Sequence, residues 1–405
     1  MTPVIAPKSQ QEARRLVAGL CALSRILIEL DRAGVVRAVV ALAPDAWLRA
    51  AVDDDLRRSH AALEVVWADP AEAAERVDGP LAVIGCGAII RADAMPALLA
   101  AGKAMTWRGG VLAAPLADHP PGVPVRLPDA VDAAGALELG DSEVIVLDQR
   151  GASRAVLRGA SKASDGIVSR RINRPISRAL SAWVLRRGPV RPDHLTLVTL
   201  AVAILMFVAL VGGGPAGLLV GCLLLQAASV VDGVDGEVAR ATYRSSPAGA
   251  ALDTAVDVAT TLMFALGITI GEWRLHGLAP LLAGGFAFGG FGLGVGAMSW
   301  LIRRGPGGGS FDVLKVFYAQ RLPGRTGGRI VAVVRTVTSR DFFALAFAVL
   351  GVCGLDQAIP WLLAGGVAVW LAVIAFAAPM LLLAERGSLQ PEHLKPDDAR
   401  ATLQA

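Results

Sequence analysis

The stretch VVDGVDGEVARATYRSSPAGAALDTAVD, residues 230–257, sets four aspartates between two apolar runs. Ionisable groups in or beside a bilayer are costly and need a partner or a task. Asp232 and Asp235 stand three apart, on one face of a helix that also carries Ala239. Gly249, Asp253 and Asp257 follow at intervals of four on a second helix. Two such helices, joined through residues 241–248, would aim two carboxylate pairs at each other. Four carboxylates that close repel unless a cation neutralises them. An all-oxygen ligand set favours one or two hard divalent ions, Mg²⁺ or Mn²⁺. Gly236 and Gly249 leave room for a substrate to approach the backbone, and Arg240 is placed to meet a phosphate. Interhelical pairing of Asp232 with Arg240 and of Asp253 with Arg244 is the plainer alternative. It leaves two acids and both glycines without a role.

The elements that must position these residues are membrane-like. Of the 405 residues 54% are hydrophobic, and mean hydropathy is +0.54, too apolar for an ordinary soluble protein. Six candidate spans follow Pro192, at about 195–213, 217–240, 248–270, 279–302, 341–355 and 358–384, the fifth short for the ~20 residues a bilayer needs. Positive charge gathers in 150–191, around 239–249, in 303–340 and in the C-terminal tail, 387–405. The intervening loops 212–217, 271–280 and 354–360 hold little. By the positive-inside rule both ends face the cytoplasm, and six spans satisfy that parity. The linker 151–191 is strongly basic, with Ile167, Ile172, Ile176, Leu180 and Val184 at roughly helical spacing. It reads as a juxtamembrane amphipathic helix that Pro175 should bend or interrupt. A solvated linker helix is the alternative.

Residues 1–150 contain no membrane-length apolar run and no signal-peptide core, so this domain is expected to stay in the cytoplasm. A helix is predicted over 14–34 and another over 45–59, with strands at 35–42, 63–68, 81–86 and 142–148. Strands alternating with helices make this an α/β domain with a mostly parallel sheet, ahead of an all-α six-transmembrane-helix domain spanning 192–386. The four cysteines are scattered and suggest neither a disulfide framework nor a zinc site.

The pattern Asp232-x2-Asp235-Gly236-x2-Ala239-Arg240-x8-Gly249-x3-Asp253-x3-Asp257 resembles, position for position, the signature of the CDP-alcohol phosphotransferases. The resemblance covers roughly residues 160–385. It implies transfer of a phospho-alcohol from a CDP-alcohol donor to a hydroxyl acceptor, with CMP leaving. It also implies that the four aspartates hold metal on the donor pyrophosphate, with Asp257 as general base. Gly236, Ala239, Arg240 and Gly249, together with Asp232, would line the CDP/CMP site. RPDHLT (191–196) resembles the family's PNxxT, with Asp193 in place of Asn, which would put Pro192 and Thr196 near the cytidine. Family members commonly form homodimers.

A narrower resemblance, in residues 162–196 and SRDFFAL (339–345), is to the branch of di-myo-inositol phosphate phosphate synthases. It implies CDP-inositol as donor and an inositol phosphate as acceptor. The competing scheme uses CDP-diacylglycerol and a polar acceptor, as phospholipid synthases do. For a phosphorylated acceptor the candidates are Arg303, Arg304, Lys315, Arg335 and Arg340, which contact with anionic membrane lipids would explain equally well. Residues 16–42 are similar to the sugar-phosphate nucleotidyltransferases, yet no strand with a Gly-rich loop precedes residue 14. In 83–99 Gly85, Cys86 and Gly87 stand where a metal-binding Asp is expected. This predicts a degenerate nucleotidyltransferase-like (Rossmann-like) domain, and donor supply by a separate cytidylyltransferase. No nucleic-acid partner is expected. A non-catalytic membrane scaffold or a cation transporter is the reading from another class.

Overall fold

The computed structural model describes residues 1–304 and 339–383, apart from 78–79, 117–118, 121, 133–135, 142, 148–150, 162–165 and 189. Lys315, Arg335 and the tail 387–405 lie outside the described residues. The chain divides into two compact units. One comprises Met1–Ala163, Pro175–Leu195 and Gly233–Ala250; the other comprises Ser164–Arg174, Thr196–Asp232 and the residues from Ala251 onward.

The first unit is α/β. Its elements are β1 (Thr2–Ala6), α1 (Gln10–Arg14), β2 (Leu16–Val17), β3 (Leu20–Cys21), α2 (Ala22–Arg32), β4 (Arg37–Ala41), α3 (Ala46–Arg58), β5 (Glu64–Ala68), β6 (Leu81–Gly85), β7 (Ala88–Ile90), α4 (Met95–Leu99), β8 (Met105–Trp107), β9 (Gly110–Leu116), β10 (Leu137–Glu138), β11 (Val144–Val146), α5 (Ala152–Gly159) and α6 (Arg174–Arg186). Seven strands form one sheet in the order β10-β8-β9-β6-β1-β4-β5. β1 lies parallel to both β4 and β6, and β9 runs antiparallel to its neighbours. Alternate side chains feed opposite faces. Ile5, Val40 and Ile84 pack in one cluster with Leu23, Ile26, Leu30, Leu48 and Val52, while Val4, Val39 and Val83 pack in another.

β1 precedes residue 14 inside the sheet, and the loop after it is not Gly-rich. Pro3 disguised the strand, since a proline cannot donate to a ladder; here Pro3 pairs with Ala82 just before the β4 pairing begins at Val4–Val39. The helix predicted over 14–34 starts only at Ala22. Ala18 (φ 45°) and Gly19 (φ 84°) instead turn the two-residue hairpin of β2 and β3. Arg25, 1% exposed, holds that turn by donating to the Val17 and Ala18 carbonyls at 2.8 and 2.9 Å.

The second unit is helical. It takes in most of α7 (Pro192–Gly212), α8 (Gly214–Ala241) and α9 (Pro247–His276), with α10 (Leu278–Arg304), α11 (Arg340–Val352) and α12 (Ile359–Leu383); Pro192–Leu195, Gly233–Ala241 and Pro247–Ala250 belong to the first unit. Among the described residues five helices are long and apolar enough to cross a membrane: α7, α8, α9, α10 and the Asp356–Phe376 stretch of α12 and its preceding turn. This is consistent with a multi-pass membrane protein. The expected span at 341–355 corresponds to α11, whose 13 residues rise only ~20 Å. Gly214 (φ 58°) allows α8 to turn back directly after α7, and a side chain at Gly217 would strike the Ala209 carbonyl. Met206, Leu210, Leu218, Cys222, Phe264, Ile268 and Phe347 form the core, with Phe264 stacked on Phe347 at 5.4 Å.

Ahead of α6 the interruption expected at Pro175 takes the form of a π-helical turn, Ser169–Asn173. This segment is inverted. Ser169, Asn173, Ser177 and Ser181 are buried, whereas Ile172, Ile176, Leu180 and Trp183 face outward. An apolar outer stripe suits a helix lying on a membrane.

Candidate active site

The acids are placed by how two helices end and begin. α8 closes with the Arg244 N–H donating to the Ala239 carbonyl and that of Tyr243 to Arg240, with Tyr243 at φ 57°. That left-handed position ordinarily takes glycine. Four residues on, Pro247 occupies the first turn of α9, where its missing N–H costs nothing, and Ser246 accepts from Gly249 N–H at 3.0 Å. From that start Asp253 and Asp257 follow at helical spacing on one face of α9.

Asp232, Asp253 and Asp257 converge: one carboxylate oxygen from each lies within 4.8 Å of the others. Arg340, expected at an acceptor phosphate, lies beside these carboxylates. Its Nη1 lies 3.2 Å from Asp232 Oδ2 and pairs with Asp257 Oδ1. That guanidinium meets two of the three acids, and among the described residues the buried Asp232 Oδ1 has no hydrogen-bond partner. Three converging carboxylates with an unsatisfied lone pair fit a hard divalent cation. Asp235, buried and one turn along α8 from Asp232, is not among the three converging acids.

The residues expected to line the nucleotide belong to the first unit, apart from Asp232 and Thr196. A Cβ at Gly236 would come within 2.8 Å of Arg240 Nη1, so the glycine lets that guanidinium fold along its own helix. Arg240 Nε donates to the Ala160 carbonyl. Gly249 stands beside Ser246, and a Cβ there would lie 3.6 Å from Asp193 Oδ1. Pro192 opens α7 and Thr196 is buried in it. Ala239 lies on α8 between Gly236 and Arg240. Arg303 and Arg304 close α10.

Two polar networks escaped the sequence reading. Asn173 donates to Ser229 Oγ and to Asp341 Oδ1, each at 3.1 Å, and accepts from Gln226 at 2.8 Å. Ser229 itself donates to Asp341 at 2.7 Å. Gln226 and Ser229 precede Asp232 by six and three residues, and Asp341 follows Arg340, so the network sets the placement of both. In the first unit Glu237, fully buried, accepts from Ser177 and Ser181, each at 2.7 Å. The signal for both was a run of polar residues at helical spacing, 226, 229, 232 and 169, 173, 177, 181.

Residues 190–309 match the CDP-alcohol phosphatidyltransferase family. Over that stretch the chain is similar to this family, which the spacing of its aspartates also resembles. The chain is also similar to proteins named bifunctional IPC transferase and DIPP synthase. The protein of that name from Rubrobacter xylanophilus is 41% identical over 140 residues, 34% of this chain and 31% of that protein. Those from Archaeoglobus fulgidus (38% over 118 residues; 29% and 23%) and Aquifex aeolicus (38% over 111 residues; 27% and 24%) are similar. The matched stretch spans less than a third of the length of these relatives.

Proposed function

We propose that this chain is a membrane-embedded, divalent-metal-dependent phosphotransferase that moves the phospho-alcohol of a CDP-alcohol onto an acceptor hydroxyl and releases CMP. The observation that carries the reading is the convergence of Asp232, Asp253 and Asp257 from two helices at the family's spacing. With Asp235, these carboxylates would hold Mg²⁺ or Mn²⁺, which supplies positive charge against the pyrophosphate and the leaving CMP. Asp257 takes the proton of the acceptor hydroxyl. The acceptor oxygen then bonds to the β-phosphorus of the donor, and that phosphorus parts from the oxygen it shares with CMP. Gly236, Ala239, Arg240 and Gly249 give the nucleotide its seat, with Pro192 and Thr196 toward the cytidine. Arg340 lies within reach of a phosphorylated acceptor at the same carboxylates. The relatives' shared name favours CDP-inositol as donor and an inositol phosphate as acceptor. The site faces the cytoplasm, on the side of the basic segments, and the enzyme works as a homodimer.

The α/β unit reads as a silent nucleotidyltransferase fold. In open sheets ligands bind where strand order reverses, here beyond the C-terminal ends of β1 and β6. The loop after β1 has no glycine, and Glu12 crosses that position. It accepts from Lys8 N–H at 2.6 Å, and its other oxygen lies 3.5 Å from where a Cβ on Gly87 would be. A carboxylate there repels a triphosphate.

The test is CMP release by the purified protein with Mg²⁺ or Mn²⁺, from CDP-inositol and from CDP-diacylglycerol, each offered inositol, inositol phosphate and glycerol phosphate. Release from CDP-inositol with an inositol phosphate is expected, and Asp257→Asn should cut it by at least ~100-fold. Release from CDP-diacylglycerol alone would make the protein a phospholipid synthase. No release from either donor would overturn the reading in favour of a scaffold or transporter.

A further inference from the structure

A tyrosine at φ 57° is an outlier for a bulky side chain, and the place it takes at the end of α8 is one where glycine is free of strain. Something must hold Tyr243 there. Two arginines of one helix of the α/β unit approach its ring: Arg32 Cζ stands 4.5 Å from the ring centroid and Arg25 Cζ 5.6 Å. Arg25 is itself fixed by the β2–β3 turn, through its bonds to the Val17 and Ala18 carbonyls. Two further contacts grip the same end of α8. Arg240 donates to the Ala160 carbonyl at the end of α5, and Val234, Val238 and Ala241 pack into the core that contains Leu23, Ile26 and Leu27.

We propose that the α/β unit is a positioning device for the CDP site, acting through the clasp of Tyr243 by Arg25 and Arg32. The inference rests on the proposed function, because it takes Gly236, Ala239, Arg240 and Gly249 to seat the nucleotide. Tyr243 sits in the loop that separates Arg240 from Gly249, three residues after the first and six before the second. Its ring fixes the direction in which the chain leaves α8, and so the spacing of the two halves of the seat. This gives the α/β unit a task that does not depend on its crevice being active, and it explains a strained tyrosine where glycine would be easier. Tyr243 is therefore a positioning residue that touches no substrate.

The test is binding of CMP to the full-length protein in detergent with Mn²⁺, by calorimetry, for wild type, Tyr243→Gly, Tyr243→Phe and Arg32→Ala. Glycine relaxes the backbone, so Tyr243→Gly keeps the helix end but loses the clasp. About tenfold weaker CMP binding is expected, the equivalent of one or two cation–π contacts. Tyr243→Phe keeps a ring beside the arginines and should restore affinity to within about twofold, and Arg32→Ala should fall between. In turnover, KM for the donor should rise while KM for the acceptor stays put. Unchanged CMP affinity in Tyr243→Gly, or a Tyr243→Phe variant no better than Tyr243→Gly, would overturn the clasp while leaving the proposed function standing. A wild type that binds no CMP would overturn the function reading, and the clasp with it.

Discussion

Asp232 and Asp257 share the guanidinium of Arg340, and that sharing has a consequence for metal binding. A fixed positive charge competes with a cation for the same oxygens and also repels it. Adjoining unit charges exchange ~4 kcal/mol at an effective dielectric of ~20. Arg340 is 24% exposed at its side chain, so solvent screens much of that. Arg340→Gln should therefore bind Mn²⁺ more tightly, on the order of tenfold, in a titration followed by electron paramagnetic resonance. Weaker binding would mean that the arginine organises the carboxylates more than it opposes the ion. The acids themselves were legible in the sequence because their spacing carries the helix period. Asn173 was not. Its partners Ser229 and Asp341 lie 56 and 168 residues away, and nothing local distinguishes an asparagine with such partners from one facing water. Arg340 was singled out for an acceptor phosphate; its pairing with Asp232 and Asp257 comes from packing that the sequence does not display.

At the scale of elements, the inverted segment 169–186 raises the question of what pins a helix whose buried face is polar. Glu237 answers for half of it: both of its carboxylate oxygens are occupied by the hydroxyls of Ser177 and Ser181, and all three residues are fully buried. Glu237→Ala takes the carboxylate acceptor away from two buried hydroxyls, at roughly 1–3 kcal/mol each. The thermal unfolding midpoint in detergent should drop accordingly, and the double variant Ser177→Ala/Ser181→Ala in the same background should recover part of it. No drop would mean that water satisfies the serines. Such non-additivity separates a paired network from independent contacts. The same segment shows why elements were read unevenly. Its outer apolar residues recur at helical spacing and announced an amphipathic helix, whereas the β2–β3 hairpin hides inside a helical pattern because two-residue strands are too short to alternate. β8 and β9 were missed for a related reason: Arg108 (φ 51°) and Gly109 (φ 76°) make the turn, but β9 carries two alanines and a proline rather than a branched, alternating run.

For the whole molecule, the sequence separated an α/β part from a membrane part correctly in kind, since mean hydropathy and the absence of long apolar runs before residue 150 decide that much. The α/β core, however, is completed by side chains far along the chain. Leu185 of α6 and Val234, Val238 and Ala241 of α8 are buried in the same cluster as the residues of α2 and the sheet. A would-be Cβ on Gly19 lies 2.9 Å from Leu185 Cδ2, so the turn of the β2–β3 hairpin is moulded to that leucine. Periodicity in the first 150 residues cannot reveal a core closed by residues 185–241. It follows that a fragment ending at Ser161 lacks part of its own core. Exposing even one buried aliphatic side chain forfeits about 1.5–3 kcal/mol, and most domains have only some 5–15 kcal/mol to lose. Produced alone, this fragment should bind a hydrophobic dye, self-associate on size exclusion, and lose amide protection first in α2 and the hairpin. Supplying residues 174–195 in trans as a peptide should restore protection by refilling the Leu185 site. A fragment that is monomeric and as protected as the same residues in the full chain would show that the α/β unit closes its core without the helices.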